Sequence, residues 1–188
     1  MSDKKVRKNI RLQGYDYATP GAYFVTICTQ NRRDLFGEII IEGGEPTVGA
    51  GLVSAHVQMK LNVAGMMIDQ IWSQVINEYP HVERDKYVIM PNHFHGIIRI
   101  NEMGAQADTR PAPTVGDIIC SFKSQTTHAY ITGVKSGQFP PFHTRFWQRN
   151  YYEHILRDEN EYLKAWEYID TNPLHWQEDD YYASINST

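Results

Sequence analysis

Two histidines separated by one apolar residue, in Met90-Pro91-Asn92-His93-Phe94-His95-Gly96, are the side chains here best suited to chemistry. The flanking runs Tyr87-Val88-Ile89 and Ile97-Ile98 are strand-like, and side chains on a strand alternate between faces. His93 and His95 therefore point the same way, while Phe94 points into a core. Two imidazoles on one face can share a divalent cation. A hydrogen-bonded pair on a sheet, or a structural zinc site, would use the same spacing.

A second pair lies near the C-terminus. Tyr162, Ala165, Trp166 and Ile169 recur at helical spacing and set a buried stripe. At about 100° per residue Tyr168 falls roughly 110° from the centre of that stripe, and Asn172 roughly 70° from it. Tyr168 is thus expected at the border of the core. Being four apart, Tyr168 and Asn172 are neighbours on one side of the helix, so a phenol and an amide can face one site together.

The elements that must position these groups can be read in order. Tyr23 to Thr29, rich in β-branched and aromatic residues after Pro20-Gly21, reads as the first strand. Gly37 to Leu52 suggests a small hairpin extension. Val53 to about Tyr79 carries apolar residues at three- and four-residue spacing, a long helix closed by Pro80. Asp85 to Met90 and Phe94 to Ile100 form a hairpin around Pro91-Asn92. Residues 101–113 read as a flexible loop. Thr114 with Asp117 caps a helix that carries Ile118, Ile119, Phe122, Thr126, Ala129 and Tyr130 inward. Arg145 to His154 is an aromatic strand-like run, and Asp158 with Glu161 opens a helix that Pro173 ends. The order β, α, β, β, α, β, α matches, over its first six elements, the α+β ferredoxin-like plan βαββαβ. In that plan an antiparallel sheet is backed by two helices. The seventh element is the C-terminal helix that carries Tyr168.

The 188 residues suit a single domain spanning 1–188, with a basic arm at 1–10 and a C-terminal tail at 174–188. Hydrophobic residues at 41% and charged residues at 21% place the chain in the globular class, away from disorder. No apolar leader or membrane-spanning run is visible, so a soluble, cytoplasmic protein is expected. Cys28 and Cys120 lie singly in apolar segments and read as buried free thiols. The net charge of −4 gives no global attraction to nucleic acid. Any such binding must come from a local patch, and Lys4, Lys5, Arg7, Lys8 and Arg11 form one candidate.

Five blocks, in order, carry a resemblance to a known family. They are Arg11-Leu12 with Gly14-Tyr15-Asp16-Tyr17, Pro20 to Thr26, Met90 to Gly96, Trp147 to His154, and Tyr168-Ile169-Asp170-Thr171-Asn172-Pro173. The chain resembles, from about Arg11 to Pro173, the REP-associated tyrosine transposases. These are relatives of the single-strand insertion-sequence transposases in the HUH endonuclease superfamily.

The resemblance implies His93 and His95 as metal ligands, Asn172 as a third polar ligand, and Tyr168 as the nucleophile. In some relatives the third ligand is a glutamine. His154 matches a recurrent family residue, for which a packed or strand-supporting role is expected. The implied activity is metal-dependent cleavage and strand transfer on single-stranded DNA near hairpins, through a 5′-phosphotyrosine. Two imidazoles and one amide would leave the site uncharged and suit Mg²⁺ or Mn²⁺. Lys123, Arg145, Arg149, Arg157 and the basic arm could hold phosphates, while Phe94, Trp147, Tyr151 or Tyr152 could stack on unpaired bases. Relatives include monomers and homodimers. A hairpin-binding protein without cleavage on the same fold, and a metallohydrolase using water as nucleophile, are the competing functions.

Overall fold

The computed structural model describes residues 19–42, 56–102 and 113–182. A four-stranded antiparallel sheet forms its centre. β1 (Gly21–Cys28) lies between β5 (His93–Ile100) and β6 (Tyr152–Leu156), and β4 (Val82–Ile89) flanks β5, giving the order β4-β5-β1-β6. With α1 (Val63–Asn77) and α2 (Val115–Lys135) this is the α+β ferredoxin-like fold. A two-stranded sheet of β2 (Gly37–Glu42) and β3 (His56–Leu61) is inserted before α1, and α3 (Glu159–Thr171) follows β6.

The first helix begins ten residues later than its periodicity suggests. Val57, Met59 and Leu61 alternate, and Ile39 pairs with Met59 and Ile41 with Val57 across the β2–β3 ladder. Asn62 then caps α1, its Oδ1 accepting from the Gly65 amide at 2.9 Å. The extension expected within Gly37–Leu52 is therefore a hairpin whose return arm is β3; its connection, 43–55, lies outside the described residues.

The expected strand from Arg145 to His154 is also shorter. Phe146 and Trp147 are adjacent yet both buried. Consecutive residues of a strand face opposite ways, so the chain must leave strand geometry there. It touches β1 through one bridge, Thr29 to Trp147, and regular pairing starts at Tyr152. Trp147 donates Nε1–H to Thr126 Oγ1 at 2.8 Å inside the core.

Alternation divides the sheet into two faces. Tyr23, Val25 and Ile27 of β1, Phe94, Ile98 and Ile100 of β5 and Ile155 of β6 meet α1 and α2 in the main core, with Trp72 and Phe122 against the Phe94 ring. On the other face Ile97, Leu156 and Ile169 form a small second cluster under α3, with Tyr162 and Ala165 beside it. Trp166, expected in the buried stripe, is 38% exposed and lies beneath the Lys86 ammonium instead. Cys28 is buried and burial raises its thiol pKa to about 11, whereas Cys120 is exposed; both are free. Among the described residues no helix is long and apolar enough to cross a membrane.

Candidate active site under the third helix

The site is built from the turn that opens β5. The Met90 amide donates to the His93 carbonyl at 2.8 Å, closing the turn. Asn92, fully buried, fills it with its side chain. Its Nδ2 donates to the carbonyls of Arg32 at 3.1 Å and Tyr181 at 3.0 Å, so its Oδ1 is the end that meets His93 Nδ1, at 2.9 Å. An amide oxygen only accepts, which places the proton of His93 on Nδ1 and leaves a lone pair on Nε2. That Nε2 is buried and has no hydrogen-bond partner. His95 is held likewise: Nδ1 lies 2.8 Å from Thr26 Oγ1, and Nε2 faces the Tyr168 hydroxyl at 3.5 Å. The two imidazole centroids are 4.4 Å apart. Burial pushes both pKa values below the usual histidine range, and for His95 the neighbouring His93 adds to it. Both rings are therefore neutral at neutral pH, the form that can ligate a cation.

α3 supplies the second half. Asp158 Oδ1 accepts from the Glu161 amide at 2.9 Å, and Glu161 Oε2 accepts from the Arg157 amide at 2.9 Å, fixing the helix start. Three turns on, Tyr168 sits at the edge of the helix's buried side, 42% exposed. Its ring meets Phe24 and His95 edge-on at 5.9 Å and 5.1 Å. Asn172 ends the helix almost fully buried, donating Nδ2–H to Asp179 Oδ2 at 2.8 Å. Its Oδ1 is buried without a partner.

Residues 174–182 do not trail away as a tail, and 183–188 lie outside the described residues. Trp176 is buried, and the Tyr181 ring lies 4.8 Å from that of His93, with the Arg32 guanidinium over the Tyr181 ring at 5.4 Å. Between them Asp179 accepts from the Tyr181 amide at 2.7 Å and brings its carboxylate to the histidines. One ligand atom each from His93, His95 and Asp179 lie within 4.8 Å of one another, so the three could hold a metal ion. Asp179 was not among the ligands foreseen. It lies in an acidic run, and only the apolar Trp176 just before it signals a docked segment.

The donors fit a divalent cation. Two neutral imidazole nitrogens, one carboxylate and the orphaned Asn172 oxygen form a mixed N/O set. With Asp179 the set carries a negative charge, unlike the neutral set expected. That charge also acts on Tyr168. Burial first, then Asp179 and Tyr181, hold its hydroxyl well above the ordinary phenol range.

His93, His95, Tyr168 and Asn172 thus converge within one chain. Lys123 donates to the carbonyls of Gln148 at 2.6 Å and Arg149 at 3.1 Å, and this anchors the loop before β6. Arg145 and Arg149 are exposed, and exposed Arg157 has Nη1 3.8 Å from Glu161 Oε1. Lys4, Lys5, Arg7, Lys8 and Arg11, with the arm at 1–10, lie outside the described residues, as do 103–112 of the expected loop. Phe94 and Trp147 are core residues. His154 lies within β6 opposite Phe24, on the strand but not packed in the core: its side chain is 39% exposed and Nε2 lies 3.4 Å from Glu161 Oε2.

No protein-family model matches the chain. An uncharacterised protein of Haemophilus influenzae is 38% identical over 190 residues, 94% of this chain and 93% of that one. The chain belongs to that protein's family. Among solved structures, that of a REP-associated tyrosine transposase bound to a REP hairpin is similar, with a TM-score of 0.54 and 19% identity. The match covers 88% of this chain and 74% of that one, so the family shares the fold of that transposase.

Proposed function

We propose that the chain is a metal-dependent endonuclease and strand transferase for single-stranded DNA, acting beside hairpins through a 5′-phosphotyrosine. The observation that carries this reading is the meeting of the Tyr168 hydroxyl with the His93, His95, Asn172 and Asp179 donors on one sheet face. The solved relative in fold, a tyrosine transposase bound to a hairpin, supports the same substrate class.

His93, His95 and Asp179, with Asn172 Oδ1 beside them, would hold Mg²⁺ or Mn²⁺. The ion would neutralise the anionic oxygens of a phosphodiester that otherwise repel a nucleophile. Tyr168 supplies the nucleophile. Its Oη forms the bond to phosphorus as the bond to the 3′ oxygen breaks, and the departing oxygen takes up a proton to become a 3′-hydroxyl. The phenol must first lose its own proton, which passes to solvent through the exposed side of Tyr168. Burial opposes this loss first, then Asp179 and Tyr181, and a cation held by the histidines would favour it. The new phosphotyrosine is again a phosphodiester. A 3′-hydroxyl from another strand can reverse the reaction and join the ends without an external energy source.

The hydroxyl and both histidines come together within one chain, which favours cleavage by the tyrosine of the same copy. Lys123 is taken up by its loop, which leaves Arg145, Arg149, Arg157 and the basic arm as the residues proposed to hold the strand.

The test is a labelled single-stranded hairpin library incubated with the protein and Mn²⁺, then resolved on a denaturing gel. A covalent protein–DNA adduct is expected, and it should vanish in Tyr168→Phe. An adduct that persists in that variant overturns the nucleophile. Binding without cleavage by the unaltered protein supports the hairpin-binding alternative.

A further inference from the structure

Beside the reacting hydroxyl, a cleft of about 380 Å³ runs between α3 and β6, the edge strand of the sheet. We propose that it receives one unpaired nucleobase of the strand being cut, and that Glu161 favours bases bearing an exocyclic amino group over thymine. This rests on the cleavage reading above and adds where substrate selection occurs.

Four observations support it. The cleft is continuous with the site: Tyr168, His95 and Thr26 line one end. A strand with its phosphate at Tyr168 must place the attached nucleoside next to it. The walls suit a flat ring. Tyr152 is 46% exposed and stands edge-on to Phe24 at 6.3 Å, with Leu156 and Ala165 completing an apolar lining. The size, at the lower end of ligand cavities, suits one nucleoside.

The polar groups decide between base and phosphate. Glu161 and Asp180 both face the cleft, and two carboxylates repel a phosphate while accepting N–H groups. Glu161 Oε2 is occupied by the Arg157 amide and approached by His154, leaving Oε1 with a 3.8 Å contact to Arg157. Adenine and cytosine present an amino group to such an oxygen. Thymine offers a single ring N–H flanked by two carbonyl oxygens, which a carboxylate repels, so it fits Glu161 less well than an amino group does. His154 and Lys164 stand ready on the same walls as donors to a ring nitrogen or carbonyl. His154, which has no part in ligating the metal, is a specificity residue in this scheme.

Fluorescence anisotropy with labelled dA12, dC12 and dT12, in chelator at pH 7.5, tests the cleft apart from cleavage. The unaltered protein should bind dA12 and dC12 roughly fivefold more tightly than dT12. Glu161→Gln retains an acceptor for the helix cap and adds a donor, so the preference should fall to within about twofold. Tyr152→Ala should weaken all three by roughly fivefold or more, with unchanged circular dichroism. Equal affinities in the unaltered protein, or a preference that survives Glu161→Gln, overturns the proposal, as does the absence of binding to all three. Equal affinities together with a Tyr168 adduct would reject the cleft alone. A preference without any adduct would reject the cleavage reading and leave the cleft standing.

Discussion

Asn92 Oδ1 sits 2.9 Å from His93 Nδ1, so one amide sets the tautomer of the first imidazole and aims its Nε2 lone pair at the shared donor space. The same side chain ties the Arg32 and Tyr181 carbonyls, joining the chain after β1 and the chain after α3 to the candidate metal site.

Asn92→Ala should therefore do two things. It leaves a buried imidazole N–H and two carbonyls without their partner, a loss of about 2–4 kcal/mol of stability. It also frees the His93 ring, and affinity for Mn²⁺ should fall roughly 10–100-fold. Denaturant melts and calorimetric Mn²⁺ titration measure the two effects. Unchanged metal affinity would sink the orienting role.

Asp179→Asn removes the charged donor yet keeps a side chain that can hydrogen-bond near Asn172. The rise in melting temperature produced by Mn²⁺ should shrink to near nothing, because a ligand stabilises only through its affinity for the folded state. The neighbouring Asp180→Asn should retain the full rise. Equal behaviour of the two variants would exclude Asp179 from the donor set.

Gly96 follows the histidines for a steric reason. A Cβ there would lie 2.8 Å and 2.9 Å from two ring carbons of buried Phe94. Gly96→Ala should cost about 1–3 kcal/mol by overpacking, and it should weaken metal binding by shifting His95. Chemical denaturation gives the first quantity. A neutral result would show that the Phe94 ring yields.

Tyr87 carries an alkaline arm of stability. Burial and the hydrogen bond it donates to Asp69 Oδ1 at 2.5 Å raise its pKa to about 12. The unfolded phenol titrates near 10, so its contribution is intact below about pH 10 and is lost as pH climbs toward 12. Tyr87→Phe should flatten this part of the stability–pH curve relative to the unaltered protein. Parallel curves above pH 10 would contradict the assignment.

The legible features were those in which one local rule acts alone. Alternation around His93-Phe94-His95 assigns the faces, and both helix caps, Thr114 with Asp117 and Asp158 with Glu161, are as their spacing requires. Where two rules compete, the sequence is ambiguous. Val57, Met59 and Leu61 precede a helix and fit an alternating strand as well, and only pairing with β2 decides. Trp166 satisfies the helical stripe, but α3 is narrow in its contact and the indole turns to Lys86. Asp179 was out of reach, because its role depends on Trp176 and Tyr181 folding back over β5.

The two faces of the sheet are unequal in what binds them. α1 and α2 share the large core, whereas the apolar anchor of α3 is the small cluster of Ile97, Leu156 and Ile169, joined to β4 by Tyr162 donating to Asp85 and by the Lys86–Asp170 pair. A helix held by so small a cluster can open at a free energy below that of global unfolding. The proposed nucleophile thus rides on a helix whose apolar anchor is small, while the histidines sit on a central strand. Amides of α3 should therefore exchange with solvent ahead of those of β5, carrying Tyr168 away from the candidate donors whenever the helix opens.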